Sequence, residues 1–340
     1  MHIFMRIWKS FSSMSFFSVF LLSLLVVLLG TFSIHFAEPE TFPTLFDSLW
    51  WTMTTLTTVG YGDYSPGSVP GRVIGMILFI FGIGIFGALI SKTVEHISTY
   101  NRLKEEGKIV YKKDGHYVYI TWSKKTKEAI EEVLATQPDA KIVIIENSEK
   151  TPYRHDNVHF VQGDPAEEET LTKANVLGSK RVCIFSDSFI DDATLADGKT
   201  LLIASAVECL CTEGNDIHTI VEISKESHIS KFKHVKVDDF IVSNGSVSRL
   251  MAKATLNPGT TAIFRQLLSK RFGSNIHEMV PKPGWKTYKD AHQELFENGA
   301  VLIAVNDSMN ISMNQQMNLQ NNDILYVICD DQVAASIGAY

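Results

Sequence analysis

The chain has few of the residue arrangements that carry catalysis. It holds four cysteines in 340 residues, Cys183, Cys209, Cys211 and Cys329, all in its second half. Cys209-x-Cys211 falls in an apolar helical stretch and reads as packing, and in a reducing compartment no disulfide framework is expected. The eleven histidines show no metal spacing of the His-Glu-x-x-His kind. Neither a Walker loop nor a nucleophile elbow occurs, so enzymatic activity is not expected. No span carries an arginine repeat, which removes the expectation of a voltage sensor. The net charge of −7 argues against nucleic acid as a partner.

Long apolar runs, by contrast, are present. Phe16 to Phe36 is interrupted only by Ser, Thr, Gly and one His, and Val73 to Ile90 is apolar and Gly-rich. Each is close to the ~20 residues a helix needs to cross a bilayer. The first is long for a signal peptide, lacks a small-x-small cleavage site and is followed by a second span, so it reads as a retained helix. Between them Leu45 to Thr57, with Trp50 and Trp51, is half a span long and reads as a re-entrant helix. Such a helix is tolerated at membrane depth only where protein surrounds it or water lines it.

That half-span runs into Thr57-Thr58-Val59-Gly60-Tyr61-Gly62-Asp63. Gly60 and Gly62 can take left-handed backbone angles. Alternating these with ordinary angles turns successive carbonyls the same way, and four copies around an axis would replace the water shell of a potassium ion. The stretch Trp50–Thr57 and the filter Thr58, Val59, Gly60, Tyr61, Gly62, Asp63 resemble the pore of potassium channels with two transmembrane helices per subunit, over residues 16–96. The resemblance implies a homotetramer with K+ in the filter, carbonyls from Thr58 to Tyr61, and Tyr61 packed against a Trp50–Trp51 cuff. It places Asp63 at the outer mouth, where a carboxylate can accept an indole N–H. It also implies a gating hinge at Gly82, shared with Gly84, for which close helix packing is the alternative, and an acidic inner mouth at Glu95, for which a solvated helix end is the alternative. Gly82-x-Gly84-x-x-Gly87 matches a dinucleotide pattern in letters but lies inside an apolar helix, without the strand and polar site such a motif needs.

Charge gives an orientation. Arg6 and Lys9 precede the first span; Lys92, Arg102, Lys104, Lys108, Lys112 and Lys113 follow the second. The intervening loop carries Glu38, Glu40, Asp47 and Asp63 against a single cation, Arg72. Positive flanks stay cytoplasmic, so both termini are expected inside the plasma membrane, with the filter mouth outside.

From about Gly107 the chain becomes soluble in character. Apolar runs at Tyr117–Thr121, Lys141–Glu146, Val158–Gln162, Arg181–Phe185, His218–Ile223 and Asp239–Val242 alternate with helix-compatible stretches at Thr126–Ala135, Glu167–Ala174, Leu195–Thr212 and Ser246–Leu256. This predicts a parallel sheet covered on both faces. Gly299–Val305 and Asp323–Cys329 predict strands of a smaller α+β lobe. The expected fold is an α-helical membrane pore joined to a cytoplasmic α/β Rossmann-like domain, divided as 1–96 pore, 97–114 linker, 115–257 main lobe and crossing helix, and 258–340 C-terminal lobe. Gly163-Asp164-Pro165, Lys173–Val176 and Asn322–Val327 resemble the RCK domain, the regulator of potassium conductance. The resemblance implies a gating ring of such domains, paired through Ser246–Arg271, that pulls on the pore when ligand binds.

The ligand stays open. Thr121–Lys125 lacks the glycines of a dinucleotide turn, although Glu146 stands where an acidic residue holds ribose. In calcium-gated relatives one carboxylate follows the fourth strand and two lie at the end of the fifth. Here Glu222 matches one of these, while Ser186 and Ser224 replace the others. Asp187, Asp191, Asp192 and Asp197 supply the oxygens a Ca2+ or other divalent site would need; a solvated loop and helix start is the alternative. Two other functions are carried alongside the potassium-selective channel: a channel passing both Na+ and K+, against which Tyr61 argues, and a membrane-anchored dinucleotide-binding sensor.

Overall fold

The computed structural model describes residues 14–211, 217–269 and 273–339. Arg6 and Lys9, Thr212, and Arg271 at the end of the expected pairing segment lie outside the described residues. The chain divides into two compact units, with the boundary between Glu105 and Glu106.

Among the described residues the first unit has three helices: α1 (Phe16–Ala37), α2 (Leu45–Leu56) and α3 (Val69–Glu105). Helices α1 and α3 are long and apolar enough to cross a membrane, and only a minority of their apolar residues are buried. Apolar surface of that extent requires lipid or further protein around it. Helix α2 starts on a reciprocal capping box, the Thr44 hydroxyl accepting the Asp47 N–H and the Asp47 carboxylate accepting the Thr44 N–H. The three helices meet at Gly30, where a Cβ would stand 2.8 Å from Leu78 Cδ2 and 2.9 Å from Thr52 Cγ2. Ile34, Phe42, Trp51, Leu56 and Leu78 form the core around this point. Helix α3 continues through Glu105, so residues 97–105 of the expected linker are helical.

The second unit holds a six-stranded parallel sheet in the order β3-β2-β1-β4-β5-β6. Its strands are β1 (Tyr117–Ile120), β2 (Ile142–Glu146), β3 (Val158–Gln162), β4 (Arg181–Ile184), β5 (His218–Ile223) and β6 (Asp239–Val242). Each lies on an apolar run of the sequence. Residues Ile142 to Ile145 are all buried, as strands covered on both faces must be. Helices α4 (Lys124–Thr136), α5 (Glu168–Lys173) and α6 (Ala193–Leu210) fill the connections, and α7 (Ser243–Leu256) and α8 (Thr260–Leu268) follow the sheet.

The C-terminal lobe is an antiparallel sheet, β7 (Asn275–Met279), β9 (Leu325–Cys329), β8 (Val301–Val305), with α9 (Tyr288–Glu297) and α10 (Asp331–Ile337). Strand β7 was not expected, because its inward residues are Asn275, His277 and Met279, two of them polar. Helix α9 was also missed, although its Thr287–Asp290 capping box and the apolar spacing of Tyr288, Ala291 and Leu295 are both legible in the sequence.

Candidate filter and ligand crevice

The end of α2 turns directly into the filter segment. The N–H groups of Val59 and Gly60 both point back to the Thr54 carbonyl, at 2.9 and 3.2 Å. Thr58, Gly60 and Gly62 have φ of +60°, +54° and +79°, while Val59 and Tyr61 between them do not. This alternation turns successive carbonyls to one side. It includes one residue more than expected: Thr58 is left-handed without being glycine, a conformation costing roughly 1–2 kcal/mol.

Side chains behind the segment hold it. The Tyr61 ring stacks on Trp50, centroids 5.7 Å apart and planes within 3°. Trp50 Nε1–H donates to Asp63 Oδ2 at 2.8 Å, and Asp63 Oδ1 accepts the Tyr64 N–H. Tyr64, which the sequence reading did not single out, donates its hydroxyl to Asp47 Oδ1 at 3.0 Å. The segment is thereby tied to α2 at Trp50 and again at the capping residue Asp47.

Glu38 is a second tie. It is buried at the end of α1 and accepts the N–H groups of Gly67 and Ser68, at 3.0 and 2.7 Å, and the Ser68 hydroxyl. Burial by itself raises its pKa, but these bonds outweigh it and hold the carboxyl below its ordinary 4.5. A Cβ on Gly71 would stand 2.1 Å from Glu38 Oε1, so glycine is required for the approach. In the sequence Glu38 registers only as an outside negative charge.

Gly82 is buried, and a Cβ there would reach within 1.8 Å of Leu56 Cδ2. Gly84 has nothing within 4 Å. Helix α3 runs unbroken through both, so within the subunit Gly82 serves close packing of α3 on α2. Glu95 is exposed and paired with Lys92 at 2.8 Å.

In the second unit the strand order reverses between β1 and β4, and in open α/β sheets the crevice at such a point receives ligands. Thr121, just past β1, has φ +71°, a left-handed angle where a dinucleotide turn has glycine. Glu146 accepts the N–H groups of Trp122 at 2.6 Å and Asn147 at 2.7 Å. The crevice is bridged by an ion pair that no motif announced: the Lys125 ammonium, at the start of α4, bonds Glu222 Oε1 at the end of β5. Glu222 Oε2 accepts the Ser186 N–H beyond β4 at 3.1 Å.

The other carboxylates are committed separately. Asp187 bonds Lys199 Nζ at 2.7 Å and the Phe189 N–H. Asp192 caps α6 through Thr194 and Leu195. Asp197, buried inside α6, accepts the Ser224 and Lys225 N–H groups and bonds His228 Nδ1 at 2.7 Å. Asp191 is exposed. Among the described residues no three His, Cys, Asp or Glu side chains stand together as ligands. Asp187, Asp191, Asp192 and Glu222 therefore do not form the divalent site the sequence suggested. The Lys125 ammonium occupies the cation position at Glu222.

Comparison with known proteins accords with the two units. Residues 21–99 match the ion channel family, and residues 126–235 match the RCK domain of calcium-activated, slowpoke-like potassium channels. The chain is 28% identical over 302 residues to the calcium-gated potassium channel TvoK of Thermoplasma volcanium, covering 85% of this chain and 84% of TvoK. It is also 28% identical over 229 residues to YugO of Bacillus subtilis, described as a potassium channel protein, covering 67% of this chain and 68% of YugO. Among solved structures the GsuK channel aligns at 14% identity and TM-score 0.49, over 94% of this chain and 58% of GsuK. The chain thus spans about three fifths of that channel's length. The helical unit with its left-handed filter segment and the parallel sheet with its reversed strand order correspond to these two matches: the chain is similar to potassium channels that join a two-helix pore to an RCK domain.

Proposed function

We propose that four copies of this chain form a potassium-selective pore in the plasma membrane, with both termini cytoplasmic, and that their RCK domains form a ring whose ligand-dependent shape sets the gate. The alternation of left-handed angles at Thr58, Gly60 and Gly62, braced by Trp50 and Asp63, carries this reading. Carbonyls of Thr58 to Tyr61 coordinate dehydrated K+, and the Thr58 hydroxyl closes the inner end. The carbonyl end of α2 favours a cation in the cavity below. Gly82 and Gly84 give α3 its bending point, and four Glu95 carboxylates gather cations at the inner mouth. Ser246 to Arg271 pair domains in the ring, and residues 106–114 carry its motion to α3. A ligand shifts the gate only by its difference in affinity between ring states.

The ligand acts at the crevice bridged by Lys125 and Glu222. The relative TvoK is calcium-gated; in this chain a divalent ion would have to displace an ammonium first. A planar-bilayer recording of the purified channel, with KCl on one side and NaCl on the other, tests the pore. A reversal potential near the potassium limit is expected, and one near zero overturns selectivity. Stepping cytoplasmic Ca2+ in the same recording is expected to leave opening unchanged while Lys125 is present.

A further inference from the structure

The segment that leaves α3 is pinned to the RCK domain along its length. The Gly107 carbonyl accepts the Gln162 N–H at 3.0 Å, and the Tyr111 N–H donates to the Lys173 carbonyl at 2.9 Å. The Ile109 carbonyl lies 2.8 Å from His159 Nε2. Asn175 Nδ2 donates to both the Lys113 carbonyl and Asp114 Oδ1, each at 3.0 Å. Gly107 has φ +64°, and a Cβ there would stand 2.4 Å from the Gln162 nitrogen.

Beside this segment lies a group, buried at His116 and half-buried at its edges, that neither conduction nor the ligand crevice uses. The Tyr111 ring packs on His116 at 4.6 Å and on His159 at 5.3 Å between centroids. His116 is fully buried. Its Nε2 bonds the Ala174 carbonyl at 3.1 Å, which makes Nε2–H the donor and leaves Nδ1 without a proton. Neither His116 Nδ1 nor the Tyr111 hydroxyl has a hydrogen-bond partner among the described residues.

We propose that Tyr111, His116 and His159 form an acid-labile anchor that couples the RCK domain to the inner helix, and that a proton on His116 Nδ1 loosens it. A second N–H on the ring needs an acceptor. The acceptor it has is the Lys113 carbonyl, already held by Asn175, as is the nearby Asp114 carboxylate. The charge would also face His159. Burial opposes the proton, while Ala174, Asp114 and the Lys113 carbonyl favour it; burial dominates and places the His116 pKa below its ordinary 6.5. The sign follows from linkage. A histidine whose folded pKa is depressed contributes fully above pH 6.5, and that contribution is lost as pH falls through 6.5 toward the folded value. The anchor therefore holds at neutral pH and weakens in acid. Tyr111, His116 and His159 act as positioning residues for gating, through residues 107–114.

The test is hydrogen exchange on the purified full-length channel at pH 7.5 and 5.5, expressed as protection factors so that the intrinsic pH dependence of exchange cancels. Protection of the Tyr111 and Gln162 amides is expected to fall at least about threefold at pH 5.5 in the wild type, a local-opening readout. In His116→Gln, which keeps a donor but cannot take the charge, protection is expected to be independent of pH. Open probability should follow the same pattern. Equal loss of protection in both proteins, or none in the wild type, overturns the proposal. If the variant does not fold, an NMR titration of His116 in the wild type decides: a midpoint below 6.5 accompanied by shifts of the Lys113 and Asn175 amides supports the anchor, and a midpoint at or above 6.5 overturns it.

Discussion

In the pore unit, the groups proposed to meet the ion belong to the backbone. Side chains such as Trp50, Tyr61 and Asp63 stand behind and hold it. In the second unit the roles are exchanged: the strands are the frame, and side chains just past or at their carboxyl ends meet across it, Lys125 from α4 with Glu222 from β5. A backbone site is written by consecutive residues, because φ depends on the residue itself. A side-chain site is written by residues 97 positions apart, and only the order of the strands brings them together. The first therefore shows in the sequence as a motif, and the second does not.

The largest effect is expected where the backbone itself is the site. Gly60→Ala places a Cβ on a left-handed residue, at roughly 1–2 kcal/mol per subunit, and all four subunits share the same carbonyl ring. Loss of K+ over Na+ selectivity in bilayer recordings is expected. Gly87→Ala is the matched control, with open space around the new methyl, and should conduct normally. If both glycines tolerate alanine, the backbone account of the filter fails.

Next comes the side-chain bridge. Lys125→Met leaves Glu222 buried and without its cation. Breaking a fully buried pair costs about 3–5 kcal/mol, but Lys125 is half exposed, so about 1–3 kcal/mol is expected in urea unfolding of the full-length protein. The double variant Lys125→Met, Glu222→Leu should recover most of this, because it removes the charge that needs a partner. Equal losses in the single and double variants would mean that the pair is not coupled.

Glu38→Gln tests a tie of intermediate size. Hydrogen bonds to a charged group contribute about 1.5–3 kcal/mol, and the amide keeps only part of that set. The depressed carboxyl also predicts a pH dependence. Its contribution is fully present above pH 4.5 and is lost as pH falls through the lower folded value. Thermal stability of the wild type should therefore drop in that acid window, and the Gln variant should drop less.

The smallest change is expected for Trp50→Phe, which keeps the stack on Tyr61 and removes only the N–H bond to Asp63. A cost of about 1 kcal/mol should appear as shorter conducting bursts with selectivity intact. A larger effect would mean that Asp63, rather than the ring stack, is the main brace of the filter.

Local physics determined a great deal from the sequence alone. Two apolar runs of membrane length, a half-span between them and the Thr58–Asp63 segment fixed the pore's order of elements, since length and hydropathy alone decide what can cross lipid. Six apolar runs located all six strands of the parallel sheet, most plainly Ile142–Ile145, because a strand buried on both faces has no polar option. Only the tertiary structure decided the rest. It showed Thr58 sharing the left-handed pattern of Gly60 and Gly62, and Gly82 pressed on Leu56. It gave Glu38 to Ser68 and turned Asp187, Asp192, Asp197 and Glu222 each to a partner of its own. A row of acids reads as a metal site when only their spacing is visible. Burial and strand order assign most of them a donor, and in this fold Lys125 reaches Glu222 first.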